Sequence, residues 1–181
     1  MAGTTVLVTG ASGTLGSALL PRLAQAGHPA VAMSRRVRSQ PGWVAADLAT
    51  GEGLLDAVRG ADAVVHLASA TGRGAKTADT DVAGTRRLVA AAYQAGVGHL
   101  VYVSIVGVDR VPLSYYRAKL AAEDIVRAGQ VPWTIVRATQ FPQLVDRLLT
   151  ASVRMGCCSP TGRWPYSRWT RVTWPSGWST A

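Results

Sequence analysis

The stretch Val6-Leu7-Val8-Thr9-Gly10-Ala11-Ser12-Gly13-Thr14-Leu15-Gly16 decides how the rest of the chain reads. A β-rich apolar run enters a glycine turn and an apolar-patterned segment leaves it, which is the order of a dinucleotide-binding βα unit. Gly10 permits a sharp turn after the strand, and Gly13 lets backbone amides approach a pyrophosphate. Gly16 lets the helix pack close to the sheet. The amides of Ser12, Thr14 and Leu15 at the helix start would face the phosphates, with the positive end of the helix dipole behind them. Three glycines before a helix are common. The strand in front and the helix behind are what make this turn informative.

Outward from that turn, residues 4–9 are the expected first strand. Residues 14–26 are the first helix, with Leu15, Ala18, Leu19 and Leu23 on its apolar side, Pro21 placed to kink it and Gly27 as its stop. Further strands are expected at 29–34, 44–46, 61–67, 98–104 and 133–136. Helices are expected at 51–59, 79–95 and 115–128, and another begins at 143–150. Strands alternating with helices imply an α/β fold, a Rossmann-like doubly wound parallel sheet in three α/β/α layers with right-handed crossovers. Residues 1–150 carry this pattern as one nucleotide-binding domain.

The totals agree with one domain. The chain has 181 residues, 48% of them apolar and 16% charged, enough for a buried sheet. No apolar run is long enough to span a bilayer, and the first residues lack the basic and apolar regions of a secretory signal, so a cytoplasmic protein is expected. Cys157 and Cys158 are adjacent and late, which suggests neither a disulfide framework nor a metal site. The formal charge of +9 invites a nucleic-acid reading, but four arginines without an acid in residues 151–181 supply +4 of it. The body shows no basic helix face, so a nucleic-acid or membrane partner is not expected, and the oligomeric state stays open.

From about Met155 the composition changes abruptly, with four of the six tryptophans, both cysteines and a Ser/Thr/Arg/Pro mixture without helical or strand period. Residues 151–181 read either as an irregular tail or as the product of a shifted reading frame. On the second reading the encoded substrate-covering part is missing.

Four constellations carry chemistry. Arg35 and Arg36 end the second strand, where the adenosine ribose of a bound dinucleotide lies. Two guanidiniums there suit a 2′-phosphate, pointing to NADP over NAD, the alternative being a solvated basic strand end. Arg38 either helps or is exposed. Asp47-Leu48 follows the third strand, where side chains flank an adenine; Asp47 either bonds its exocyclic amine or caps a helix. His66-Leu67-Ala68-Ser69 ends the fourth strand, and the backbone of Ala68 and Ser69 is expected to line the nicotinamide side, with His66 packed in the strand. Finally, Tyr115 and Lys119 share a helix face at i,i+4, and Ser104 ends the neighbouring strand. A close ammonium and the positive ring of the cofactor would together lower the tyrosine pKa and make it an acid/base, with Ser104 holding the substrate oxygen.

Taken together, Thr9-Gly10-x-x-Gly13-x-x-Gly16, Ser34-Arg35-Arg36, Ala46-Asp47-Leu48, Val103-Ser104, Tyr115-Tyr116-Arg117-Ala118-Lys119 and Val136-Arg137-Ala138-Thr139-Gln140-Phe141 resemble the short-chain dehydrogenase/reductases of the atypical kind, specifically the NmrA-like NAD(P)-binding proteins. The resemblance covers about residues 4–150. It implies a Rossmann protein that binds NADP(H), with Ser104, Tyr115 and Lys119 at the positions of the family's catalytic serine, tyrosine and lysine. Many NmrA-like members lack the tyrosine and act as redox sensors. A chain that keeps it is expected to be an oxidoreductase acting on a small carbonyl or alcohol, with a non-catalytic sensor or an inactive truncated member as the alternatives.

Overall fold

The computed structural model describes residues 3–69 and 75–139, residues 75–80 by their backbone alone. The helix expected at 143–150 and the tail at 151–181 lie outside the described residues. In chain order the elements are β1 (Val6–Thr9), α1 (Thr14–Gln25), β2 (Ala30–Ser34), β3 (Trp43–Ala45), α2 (Leu54–Val58), β4 (Ala63–His66), α3 (Ala75–Gln94), β5 (His99–Ile105), α4 (Ser114–Ala128) and β6 (Trp133–Ala138).

The six strands form one sheet in the order β3-β2-β1-β4-β5-β6, and every neighbouring pair is parallel. This is the strand order of a Rossmann sheet. All six strand ends therefore lie along one edge. The order reverses between β1 and β4, which are paired from Val6↔Ala63 to Thr9↔His66. A parallel sheet is covered on both faces, and the alternation along β1 divides its side chains accordingly. Val6 and Val8 pack with Ala11 and Ala32 beneath Leu19, Leu20 and Leu23 of α1. Leu7 joins the larger cluster on the other face, with Val64, Leu88, Leu100, Tyr102, Ala122 and Val126 from β4, α3, β5 and α4.

Three elements differ from their expected bounds for identifiable reasons. Helix α2 starts at Leu54 because Gly51 and Gly53 take φ of +88° and +67°, a conformation outside the helical region. Helix α1 runs unbroken through Pro21, which stands on its exposed side. The carbonyl that loses a partner there belongs to Ser17, also exposed, so water can satisfy it. Helix α3 begins four residues earlier than the apolar spacing indicated. Among the described residues no helix is long and apolar enough to cross a membrane.

Candidate functional site

The crevice at the point of strand reversal is built by two loops in close contact. Gly10 leaves β1 with φ +66°, and a Cβ there would stand 2.6 Å from the amide nitrogen of Ala68, which follows β4. The Ala68 N–H donates to Thr9 Oγ1 at 3.3 Å, tying the two loops together. The turn closes with Gly13 N–H donating to the Gly10 carbonyl at 2.9 Å. Helix α1 then starts directly on the loop, since a Cβ on Gly16 would lie 2.5 Å from Ala11 Cα. Gly13 caps the helix without a side-chain bond and no acid stands in the first turn. The first-turn amides of Thr14, Leu15 and Gly16 have no intrahelical acceptor, and Ser12, Gly13 and Thr14 are exposed. Donors, dipole and absence of Cβ atoms fit the pyrophosphate of a dinucleotide.

Beneath the loops His66 is buried between two threonines, Nδ1 at 2.7 Å from Thr9 Oγ1 and Nε2 at 3.1 Å from Thr85 Oγ1. The Thr85 hydroxyl donates to the Asp81 carbonyl at 2.8 Å, so it accepts from Nε2–H. The hydrogen-bond network thus assigns the neutral Nε2–H tautomer, with Thr9 donating to Nδ1. Burial, reinforced by the Lys119 ammonium, pushes the His66 pKa down to about 3. His66 is a packed strand residue that braces β1, β4 and α3 under the crevice.

At the end of β2, the Ser34 hydroxyl accepts from the Arg36 amide at 3.1 Å and donates to its carbonyl at 2.9 Å. This turn leaves Arg35 and Arg36 exposed beside the crevice. Arg38 does not join them: its guanidinium stacks over Trp43, 4.3 Å from the ring centroid. After β3, Asp47 Oδ1 accepts the Ala49 amide at 2.7 Å in a local turn. Helix α2 is capped by Gly53 instead, so Asp47 is not its N-cap. Leu48 packs against α3, where a Cβ on Gly84 would be 3.0 Å from its own Cβ.

Tyr115 and Lys119 lie one turn apart on α4, near the ends of β4 and β5. The Tyr115 hydroxyl lies 3.2 Å from Ser69 Oγ, and Ser69 in turn donates to Asp81 Oδ2 at 2.8 Å. Lys119 is 5% exposed. Its Nζ donates to the Val103 carbonyl at 3.3 Å and sits 4.9 Å from the centre of the Tyr102 ring. Burial lowers the Lys119 pKa, opposed by the charges of Asp81 and Glu123. In the protein alone burial raises the Tyr115 pKa, Asp81 and Tyr116 add to the rise, and a hydrogen bond donated by Ser69 would oppose it. The ammonium is turned to the Val103 carbonyl and the Tyr102 face, and so does not lower the phenol.

Ser104 also departs from expectation. It shares a strand face with Leu100 and Tyr102, is 2% exposed, and lies close enough to Glu123 to help keep that carboxylate ionised. Among the described residues no partner meets full hydrogen-bond geometry at its Oγ, and Ser104 is not bonded to Tyr115. Sequence reading placed Ser69 here for its backbone and passed over Asp81 entirely. The available signal was a strand-end serine followed by a helix with an acid near its start.

Residues 10–147 match the model of a family described as NAD(P)H-binding. The chain is 34% identical over 162 residues to the chloroplastic divinyl chlorophyllide a 8-vinyl-reductase of Oryza sativa subsp. indica, covering 76% of this chain and 40% of that protein. It is 37% identical over 136 residues to the 2-alkyl-3-oxoalkanoate reductase of Stenotrophomonas maltophilia, covering 71% and 39%. The chain thus spans about two-fifths of these two relatives. Among solved structures, a putative NAD-dependent epimerase/dehydratase from Bacillus halodurans superposes with a TM-score of 0.69 at 31% identity, covering 76% of this chain and 71% of that one. A short-chain dehydrogenase/reductase superfamily protein from Agrobacterium tumefaciens with bound NAD gives 0.66 at 29%, covering 74% and 48%.

Proposed function

This chain belongs to the NAD(P)H-binding family, and from that premise we propose that it is an NADP(H)-dependent oxidoreductase of the short-chain dehydrogenase/reductase type acting on a small carbonyl or alcohol. The supporting observation is the Tyr115 hydroxyl, hydrogen-bonded to Ser69 at the end of β4, beside the Gly10 loop and one helical turn from Lys119. The similarity to two proteins named as reductases points the same way.

The nicotinamide cofactor, when bound, supplies or accepts the hydride. In the reducing direction Tyr115 gives its proton to the carbonyl oxygen as charge builds there. Lys119 contributes a buried positive charge beside the tyrosine. Ser69, bonded to the Tyr115 hydroxyl, takes the orienting place that the sequence assigned to Ser104. Arg35 and Arg36 would pair with a 2′-phosphate, while Asp47 and Leu48 would flank the adenine and the backbone of Ala68 and Ser69 the nicotinamide.

Cofactor oxidation across a panel of aldehydes and ketones tests the reading. Tyr115→Phe is expected to lower turnover at least about a hundredfold with NADPH binding nearly intact. Unchanged turnover refutes the assignment. Arg35→Ala and Arg36→Ala are each expected to weaken NADPH binding by about tenfold and leave NADH binding alone. A wild-type preference for NADH sinks the phosphate reading. The sensor alternative draws on Ser104 facing Glu123 instead of Tyr115. NADP binding without oxidation on any carbonyl, with a protein partner whose affinity follows the cofactor's redox state, would favour it.

A further inference from the structure

Two hydrogen bonds in series lead from the Tyr115 hydroxyl into α3. Ser69 Oγ lies 2.8 Å from Asp81 Oδ2 and 3.2 Å from Tyr115 Oη. A serine hydroxyl carries one proton, and a bond to a carboxylate is the stronger of the two on offer. The Ser69 proton therefore goes to Asp81. That leaves Ser69 Oγ with only lone pairs toward Tyr115, so the tyrosine must be the donor between them. We propose that Asp81, acting through Ser69, is the positioning residue that keeps Tyr115 a protonated donor at the crevice, an inference that rests on the reading of Tyr115 as the proton donor.

The arrangement has a directional consequence. Removing the Asp81 charge releases the Ser69 proton to donate to the Tyr115 oxygen, which favours the phenolate, and it removes a nearby negative charge that opposes the phenolate. Both effects lower the tyrosine pKa. Removing the Ser69 hydroxyl deletes the acceptor of the Tyr115 proton, the bond that favours the phenol, so it also lowers the pKa, by less because burial and the Asp81 charge still hold it up. The other groups facing Tyr115 are common to both cases: Tyr116 on α4, edge-on at 6.2 Å between ring centres, Lys119 one turn along, and Tyr102 on β5. Replacements one bond apart in the same series are thus expected to move Tyr115 in the same direction, Asp81→Asn further than Ser69→Ala. A role limited to packing would not lower the pKa from both positions.

The test is an alkaline titration of the full chain, following tyrosinate ultraviolet absorbance as the difference from the same protein carrying Tyr115→Phe. Circular dichroism at each pH keeps the reading on folded protein. Asp81→Asn is expected to lower the Tyr115 midpoint by roughly one pH unit, Ser69→Ala to lower it by less, and Ser69→Thr to restore it. An unchanged or raised midpoint in either Asp81→Asn or Ser69→Ala overturns the proposal. If Asp81→Asn does not fold, Ser69→Ala decides alone: its midpoint must fall, and a rise or no change overturns the proposal. The titration needs neither cofactor nor substrate. Lowered midpoints without turnover on any carbonyl would therefore refute the oxidoreductase reading separately, and turnover with midpoints that do not fall would refute only the role of Asp81.

Discussion

Arg137 grips Glu123 with two hydrogen bonds, Nε to Oε1 at 3.0 Å and Nη2 to Oε2 at 2.8 Å, and Glu123 presents no surface to solvent. The pair joins β6 to α4, with Arg127 as a second cation on the same carboxylate. Removing one partner strands a buried charge, whereas removing both does not. Arg137→Met is expected to lower stability, by less than the loss of a lone partner because Arg127 remains on the carboxylate. The double replacement Glu123→Leu with Arg137→Met is expected to cost less than Arg137→Met alone. Urea unfolding of the single and double variants checks the order.

Acid is expected to destabilise the protein in two stages. His66, pushed down to about 3, is neutral in the folded state, so between pH 6.5 and 3 the unfolded chain binds more protons and stability falls as the pH falls. The slope from this one group is at most about 1.4 kcal/mol per pH unit. Glu123, lowered by Arg137, Ser104 and Arg127 against the opposing effect of burial, adds its loss as the pH drops below 4.5. In His66→Gln the upper stage is expected to flatten while the lower persists. Unfolding midpoints taken from pH 7 down to about pH 2 separate the stages, and a steep upper stage in His66→Gln contradicts the assignment.

At the phosphate turn the two tight glycines fail for different reasons. Gly10→Ala meets both a positive φ and the Ala68 amide at 2.6 Å, while Gly16→Ala meets the backbone of Ala11 and Gly10 at 2.5 Å with no positive φ. The left-handed conformation alone costs about 1–2 kcal/mol for a residue with a Cβ. Gly10→Ala is therefore expected to lose more stability than Gly16→Ala, and both to lose dinucleotide affinity. Thermal unfolding with and without NADPH measures the two losses separately.

Arg38→Ala offers the contrast to Arg35→Ala and Arg36→Ala. Its guanidinium rests on Trp43, an arrangement worth about 0.5–1 kcal/mol at an exposed site. The substitution is expected to change Trp43 fluorescence and leave the NADPH to NADH preference as it is. A lost preference would put Arg38 in the cofactor site.

The glycine stretch and the alternation of strands and helices made the parallel sheet legible, since buried apolar runs and glycine stops are local signals. Helix α2 was overread because Gly51 and Gly53 look like ordinary flanking glycines until their positive φ is seen. The direction of Ser104 was readable after all: Leu100 and Tyr102 are its period-two neighbours, and their burial sends Ser104 to the same face. Ser69 and Asp81 were not legible as a pair, because no periodicity relates a loop serine to an acid in the following helix. Helix spacing shows that Lys119 is near Tyr115 but not which acceptor its ammonium selects.

The strand order also sets when the crevice can exist during synthesis. β1 meets β2 through a short connection, but its other neighbour, β4, arrives only with Ala63–His66. Closing that pair brings distant segments together, the kind of contact that slows folding. A nascent chain that has released only its first three strands has a glycine turn with no opposite wall, since Ala68 and Ser69 are still inside the ribosome. A dinucleotide held between these two loops therefore has to wait for β4, although the glycine motif that announces it comes before β2, β3 and α2.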